Sequence, residues 1–115
     1  MRRREFMPAS GAATAWPQAA SAQQQAVPIV GYLSASTPEA SATTVAGFRK
    51  GLSEMGYVEG RNIEIEFRWA NTQFGRLPEL AADLVRRRVA VIASPASTAG
   101  ALAAKAATSS IPIVF

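Results

Sequence analysis

Apolar residues follow two rhythms along this chain. Residues 27–33 run through Val27, Ile29, Val30, Tyr32 and Leu33 with almost no polar interruption, and Ser34, Ser36, Thr37 and Pro38 follow. An apolar run of this length closed by turn residues reads as a strand buried on both faces, and Pro28 fits it only near the start. Over residues 41–55 the period lengthens. Val45, Phe48, Leu52 and Met55 are spaced by three and four, along one face of a helix. Gly56 can then take the left-handed conformation that ends the helix and folds Tyr57 back onto Leu52. After the Glu59-Gly60 turn, Ile63, Ile65, Phe67 and Trp69 alternate with Glu64, Glu66 and Arg68. Strict alternation predicts a strand with one polar face, placed at a sheet edge where that face can meet water.

Helical spacing returns at Leu77, Leu80, Ala81, Leu84 and Val85, with Pro78 in the first turn, Glu79 near the positive end and Arg86-Arg87-Arg88 at the negative end. The Arg triplet reads as a solvated helix end, and alternatively as a phosphate-binding patch. Residues 89–93 form a second continuous apolar run, Ser94-Pro95-Ala96-Ser97-Thr98 a polar turn, and residues 99–107 an Ala-rich helix apolar almost all round. Ile111, Ile113, Val114 and Phe115 begin another strand. The order is βαβαβαβ, an α/β chain with a parallel sheet and right-handed crossovers. A parallel sheet is covered on both faces, yet no helix follows the last strand. The chain is therefore expected to be the first part of something larger, with residues 23–115 a partial N-terminal lobe.

Residues 1–22 follow a different logic. Arg2, Arg3 and Arg4 open the chain, a small-residue apolar run follows, and Ala20-Ser21-Ala22 precedes Gln23. That is the layout of a secretory signal with an A-x-A cleavage site. Arg3, Arg4 and Phe6 match the twin-arginine export motif, with Ala20 and Ala22 as the small residues of the cleavage site. The alternative is a basic arm for a polyanion. Removing this segment takes three of the 12 basic and one of the 8 acidic residues, so the net charge falls from +4 to +2. Much of the apparent basicity belongs to the signal, and no nucleic-acid partner is expected.

Composition narrows the chemistry. The chain has 115 residues, 49% hydrophobic and 17% charged, as a single globular domain requires. No apolar stretch approaches the roughly 18 residues of a membrane span. With no Cys and no His, disulfides, thiol catalysis, Cys/His zinc sites and His general bases are excluded. No metal and no cofactor is expected, and the chain is not expected to be an enzyme.

In open α/β sheets ligands bind beyond the carboxyl ends of the strands, which directs attention to residues 34–37, 69–71 and 94–98. The first loop has neither G-x-G-x-x-G nor a Walker Lys, so dinucleotide binding is not expected. Ser94 follows a strand as a nucleophile would, but the glycines of a nucleophile elbow are missing. Ser97 and Thr98 stand where a hydroxyl caps a helix and where the helix amides receive an anion. Candidate ligand residues are Ser34, Ser36, Trp69, Ser94, Ser97 and Thr98; of these, Ser94, Ser97 and Thr98 offer three neutral donors around a positive helix end, which suits a small carboxylate.

The segments Arg3-Arg4-Glu5-Phe6, Ala22-Gln23-Gln24, Gly51-Leu52-Ser53-Glu54-Met55-Gly56-Tyr57-Val58-Glu59-Gly60, Arg68-Trp69-Ala70, Arg76-Leu77-Pro78-Glu79-Leu80-Ala81-Ala82-Asp83-Leu84-Val85 and Ile111-Pro112-Ile113-Val114-Phe115 occur in this order. Together they resemble the N-terminal part of ABC-transporter substrate-binding proteins of the tryptophan/tyrosine type. The resemblance implies a type 1 periplasmic binding protein, with two α/β lobes closing on an amino acid or related small carboxylate, and an ABC permease of the inner membrane as partner. It implies a soluble periplasmic protein whose Ser/Thr-rich loop after the third strand helps to hold the ligand. Pro95 and Ala96 depart from that loop's character. Two other functions fit the fold: the effector-binding lobe of a transcriptional regulator, which needs a helix-turn-helix where this chain carries a signal-like segment, and a small flavodoxin-like enzyme, which needs a phosphate loop.

A receptor-read twin-arginine signal requires the arginine pair, whereas a generic basic terminus accepts lysine. The double variant Arg3→Lys, Arg4→Lys is expected to leave precursor in the cytoplasm on cell fractionation, and undiminished export would reject this reading.

Overall fold

A computed structural model describes residues 27–115; the segment read as an export signal lies outside them. The elements are β1 (Ile29–Ser34), α1 (Ala42–Glu54), β2 (Glu64–Trp69), a 3-10 turn (Phe74–Arg76), α2 (Leu77–Arg86), β3 (Val91–Ala93), α3 (Thr98–Ala107) and β4 (Ile113–Val114). All strand pairings are parallel, in the order β2-β1-β3-β4. The expected α/β alternation is therefore present, and β2 is at an edge of the sheet. Three strands start two residues later than the apolar runs imply, β1 at Ile29, β3 at Val91 and β4 at Ile113. Arg88 bends the chain with φ +57°, so Val89 is buried ahead of β3; before β4, Ile111 and Pro112 serve only as approach.

β1 sits at the centre. It pairs with β2 from Ile29↔Glu64 to Ser34↔Trp69 and with β3 from Val30↔Val91 to Tyr32↔Ala93. Its side chains alternate between two unequal layers. Leu33 and Ile29 join Ala81, Leu84, Ile92 and Ala104 in the larger core under α2 and α3. Val30 points the other way and joins Ile63 and Ala93 under Phe48 and Leu52 of α1. The near-absence of bulky side chains on α3 lets α2 and α3 share one face. Leu84 is fully buried and lies so close to Gly31 that a Cβ there would come within 2.9 Å of its Cδ1.

Helix α1 ends as its sequence implies. Gly56 has φ +93°, its N–H donates to the Ser53 carbonyl, and the Tyr57 N–H donates to the Leu52 carbonyl at 2.8 Å, the double bond of a Schellman closure. Helix α2 ends with the same pattern. The Arg88 N–H donates to the Val85 carbonyl, but a side chain in the left-handed region costs energy that glycine avoids.

Two expectations change here. Met55, placed on the buried stripe of α1, is 75% exposed, and Leu52 is only half-buried, because α1 is the only helix among the described residues on its face of the sheet. The polar face of β2 does not simply meet water. It lies against α2, where Arg68 bonds Asp83 Oδ2 at 2.8 Å and Glu66 at 3.2 Å, and Arg87 reaches Glu66 Oε2 at 3.2 Å. The Arg68 guanidinium holds the Asp83 carboxyl below its ordinary value. It is the apolar face of β2, beside α1, that stays half-open.

These burials rank three substitutions. Leu84→Ala is expected to cost roughly 2–5 kcal/mol, Leu52→Ala clearly less because part of its side chain is already in water, and Glu64→Ala within about 0.5 kcal/mol. Urea unfolding of the three variants checks the order.

Candidate ligand site at the switch point between β1 and β3

The helix after β1 covers one face of the sheet and the helix after β3 covers the other. Adjacent parallel strands whose connections leave to opposite faces open a crevice at their carboxyl ends, where ligands of open α/β sheets bind. A cavity of about 420 Å³ lies there, lined by Ser34, Ser36, Thr72, Phe74, Ala96, Ser97, Thr98 and neighbouring backbone.

Local bonds build this site. Ser97 is the N-cap of α3; its Oγ accepts from the Gly100 N–H at 3.1 Å and from the Ala35 N–H at 3.3 Å. One hydroxyl thus satisfies the helix start and pins it to the end of β1. Gly100 permits the close seating: a Cβ there would meet the Leu33 carbonyl oxygen at 2.9 Å and the hydroxyls of Ser94 and Ser97 at 3.0 Å. Ser34 Oγ accepts from the Ser36 N–H at 3.0 Å. The loop after β2 is tied in by backbone, since Thr72 N–H donates to the Ala35 carbonyl at 2.7 Å and Asn71 N–H to the Ser36 carbonyl at 3.1 Å. Asn71, Thr72 and Ala96 hold φ of 54°, 66° and 58°. A left-handed β-branched residue is a real outlier, and such strain gathers where structure is shaped for a task.

The first amides of a helix have no partner within it. Among the described residues nothing accepts from the Thr98 and Ala99 N–H groups, and both residues line the cavity. With the Ser97 and Thr98 hydroxyls beside them and no charged side chain in the lining, the arrangement offers neutral donors at the positive end of a helix. Phe74, 61% exposed, supplies an apolar wall. Among the described residues no group of acidic side chains could hold a metal ion.

The six candidate residues divide three ways. Ser34, Ser36, Ser97 and Thr98 share the cavity. Ser94 lies outside its lining, fully buried beneath Gly100, with no partner for its Oγ among the described residues. Trp69 lies outside the cavity, stacked on Phe67 at 5.8 Å and 4°, and lines a separate groove of about 620 Å³ with Pro38, Val45 and Arg49. The strand period puts its ring beside Phe67 on the α1 side; Ser34, its partner in register, follows Tyr32 onto that side but stands at the strand end, where it reaches the cavity. Thr72 and Phe74 join the lining from beyond the three candidate loops; their signal in the sequence is an aromatic residue that follows the polar run Asn71-Thr72-Gln73. Also outside the candidate residues is Tyr32, packed among Phe48, Phe67 and Trp69, whose buried hydroxyl has no partner among the described residues and a pKa raised by burial.

A parallel sheet with a donor-lined crevice at its switch point is the geometry in which open α/β folds hold ligands. The chain belongs to the ABC transporter substrate-binding proteins, whose family model matches residues 11–115. Two solved structures are similar to it. A conserved domain protein of Vibrio cholerae has 29% identity and a TM-score of 0.71 over 77% of this chain and 30% of that one. The ligand-free, open form of a substrate-binding protein with adhesive properties from Clostridium difficile has 31% identity and a TM-score of 0.69 over 76% of this chain and 29% of that one. The chain thus spans under a third of the length of either. No curated protein matches it. Among the described residues no helix is long and apolar enough to cross a membrane.

The two serines of the third loop have opposite expected effects. Ser97→Ala removes the acceptor of two N–H groups and is expected to cost about 1–2 kcal/mol. Ser94→Ala deletes a hydroxyl that lacks a partner and is expected to be neutral or stabilising. Thermal melting of both variants is the check, and equal losses would contradict the bonding described.

Proposed function

We propose that this chain is the N-terminal portion of the solute-binding component of an ABC importer, exported to the periplasm by a twin-arginine signal and capturing an amino acid or related small carboxylate for an inner-membrane permease. The observation that supports it most is the meeting of Ser34, Ser36, Ser97 and Thr98 in one cavity at the first turn of α3. A carboxylate there accepts from the Thr98 and Ala99 amides and the Thr98 hydroxyl, and needs no neutralising Arg because the helix end already carries partial positive charge. Phe74, across the same cavity, accommodates an apolar side chain. Membership of the substrate-binding family and the solved substrate-binding protein of related fold support the role.

This lobe supplies one wall of a cleft. Without a second lobe to exclude water, a ligand keeps part of its hydration, and the expected affinity of the 115-residue chain is no better than about millimolar, roughly −4 kcal/mol. Titration calorimetry with tryptophan, tyrosine, phenylalanine and branched-chain amino acids, each beside its decarboxylated amine, tests the carboxylate. The acids are expected to bind and the amines not. Thr98→Ala, on an exposed residue, is expected to weaken binding by about tenfold, as loss of a hydrogen bond to a charged group does. Equal binding of acid and amine, or an unchanged Thr98→Ala, would remove the carboxylate from this site.

A further inference from the structure

The outer edge of β2 is an unpaired strand edge among the described residues. The Glu64 N–H donates to the Pro28 carbonyl and the Ala70 N–H to the Ser34 carbonyl, so the even-numbered residues turn their backbone groups towards β1. Ile65, Phe67 and Trp69 turn theirs outward, and among the described residues no strand pairs with them. Their side chains lie half-buried in a row beside the open groove along α1. On the other face, Glu66 and Arg68 are held in place by the ion pairs to Asp83 and Arg87.

We infer that this edge pairs with the same edge of a second copy of the chain, antiparallel about a two-fold axis at Phe67, extending the sheet across the dimer. Only residues with outward backbone groups can exchange the bonds of such a pair. With Phe67 on the axis, Phe67 meets Phe67 of the second copy and Ile65 meets Trp69. Between these, Glu66 stands directly opposite Arg68 of the second copy, twice, at the close spacing of non-hydrogen-bonded pairs. A slip of one pair either way places like charges on the axis, Glu66 on Glu66 or Arg68 on Arg68. Alternating charge usually blunts an edge strand. Here its order excludes the neighbouring registers and favours one self-complementary register, as a two-fold interface requires. The same pairing continues the apolar row of Ile65, Phe67 and Trp69 across the axis and covers its open side.

The chain contains no Cys, so Glu64→Cys, at an exposed side chain, creates a single attachment point for a spin label. With the axis at Phe67 the two labelled Cα atoms lie about 20 Å apart, against roughly 14 Å or 27 Å in the slipped registers, at about 3.4 Å per residue. Sedimentation of the 115-residue chain in the millimolar range is expected to show a dimer that weakens with salt, and pulsed electron paramagnetic resonance the 20 Å separation. Ile65→Pro removes one outward N–H and no bond to β1, and is expected to yield a monomer with unchanged far-ultraviolet circular dichroism. A wild-type monomer, a dimer with another separation, or a folded Ile65→Pro variant that still dimerises would each overturn the inference. If the proline variant does not fold, the label distance decides.

Discussion

The first turn of α3 must lie almost on the backbone of β1, and much of this lobe follows from that seating. A Cβ at Gly100 would collide with the Leu33 carbonyl and two hydroxyls, so the helix start descends into the gap between β1 and β3 only because the side chain is absent. Ser97 then serves as cap and as tether, taking N–H bonds from its own helix and from Ala35. The cavity, the free amides at its floor and the loop of β2 zipped onto Ala35 and Ser36 are arranged around that contact. Here stability and the candidate site draw on the same geometry: what holds the helix down also aims its positive end at the crevice.

The two faces of the sheet are unequal for a topological reason. Moving from β1 to β2 in one direction carries a right-handed crossover over one face, whereas the steps to β3 and β4 run the other way and carry theirs over the opposite face. One helix on the first side cannot cover four strands. It leaves an apolar groove lined by Val30, Phe48, Leu52, Val91 and Val114 on one flank and the Phe67–Trp69 groove on the other. Met55, exposed despite its place on the helical stripe, marks the far end of the same deficit.

Charge is spent differently on the two sides. Among the described residues the cavity at the switch point has none in its lining and presents amides and hydroxyls instead. The β2–α2 layer concentrates Glu66, Arg68, Asp83 and Arg87 into one network, which turns a half-buried polar face into a satisfied one. The charges of the edge strand thus orient side chains at the sheet margin and lie outside that cavity.

The sequence by itself determined the order of elements, the position of β2 at the edge, the stop at Gly56 and the three loops that gather at the carboxyl ends. These depend on periods of two and 3.6 residues and on the conformational freedom of glycine, all local properties. It also implied that the loops of Ser34, Ser36, Ser97 and Thr98 meet, as they do in one cavity, because a parallel α/β order dictates where loops converge. Tertiary structure alone decided that Trp69 lines a separate groove, that Ser94 lies under Gly100, and that Thr72 and Phe74 complete the wall. Those outcomes depend on register, on which face a side chain takes, and on how closely a helix approaches the sheet. Each is set by contacts between residues far apart in the chain, which no local period encodes.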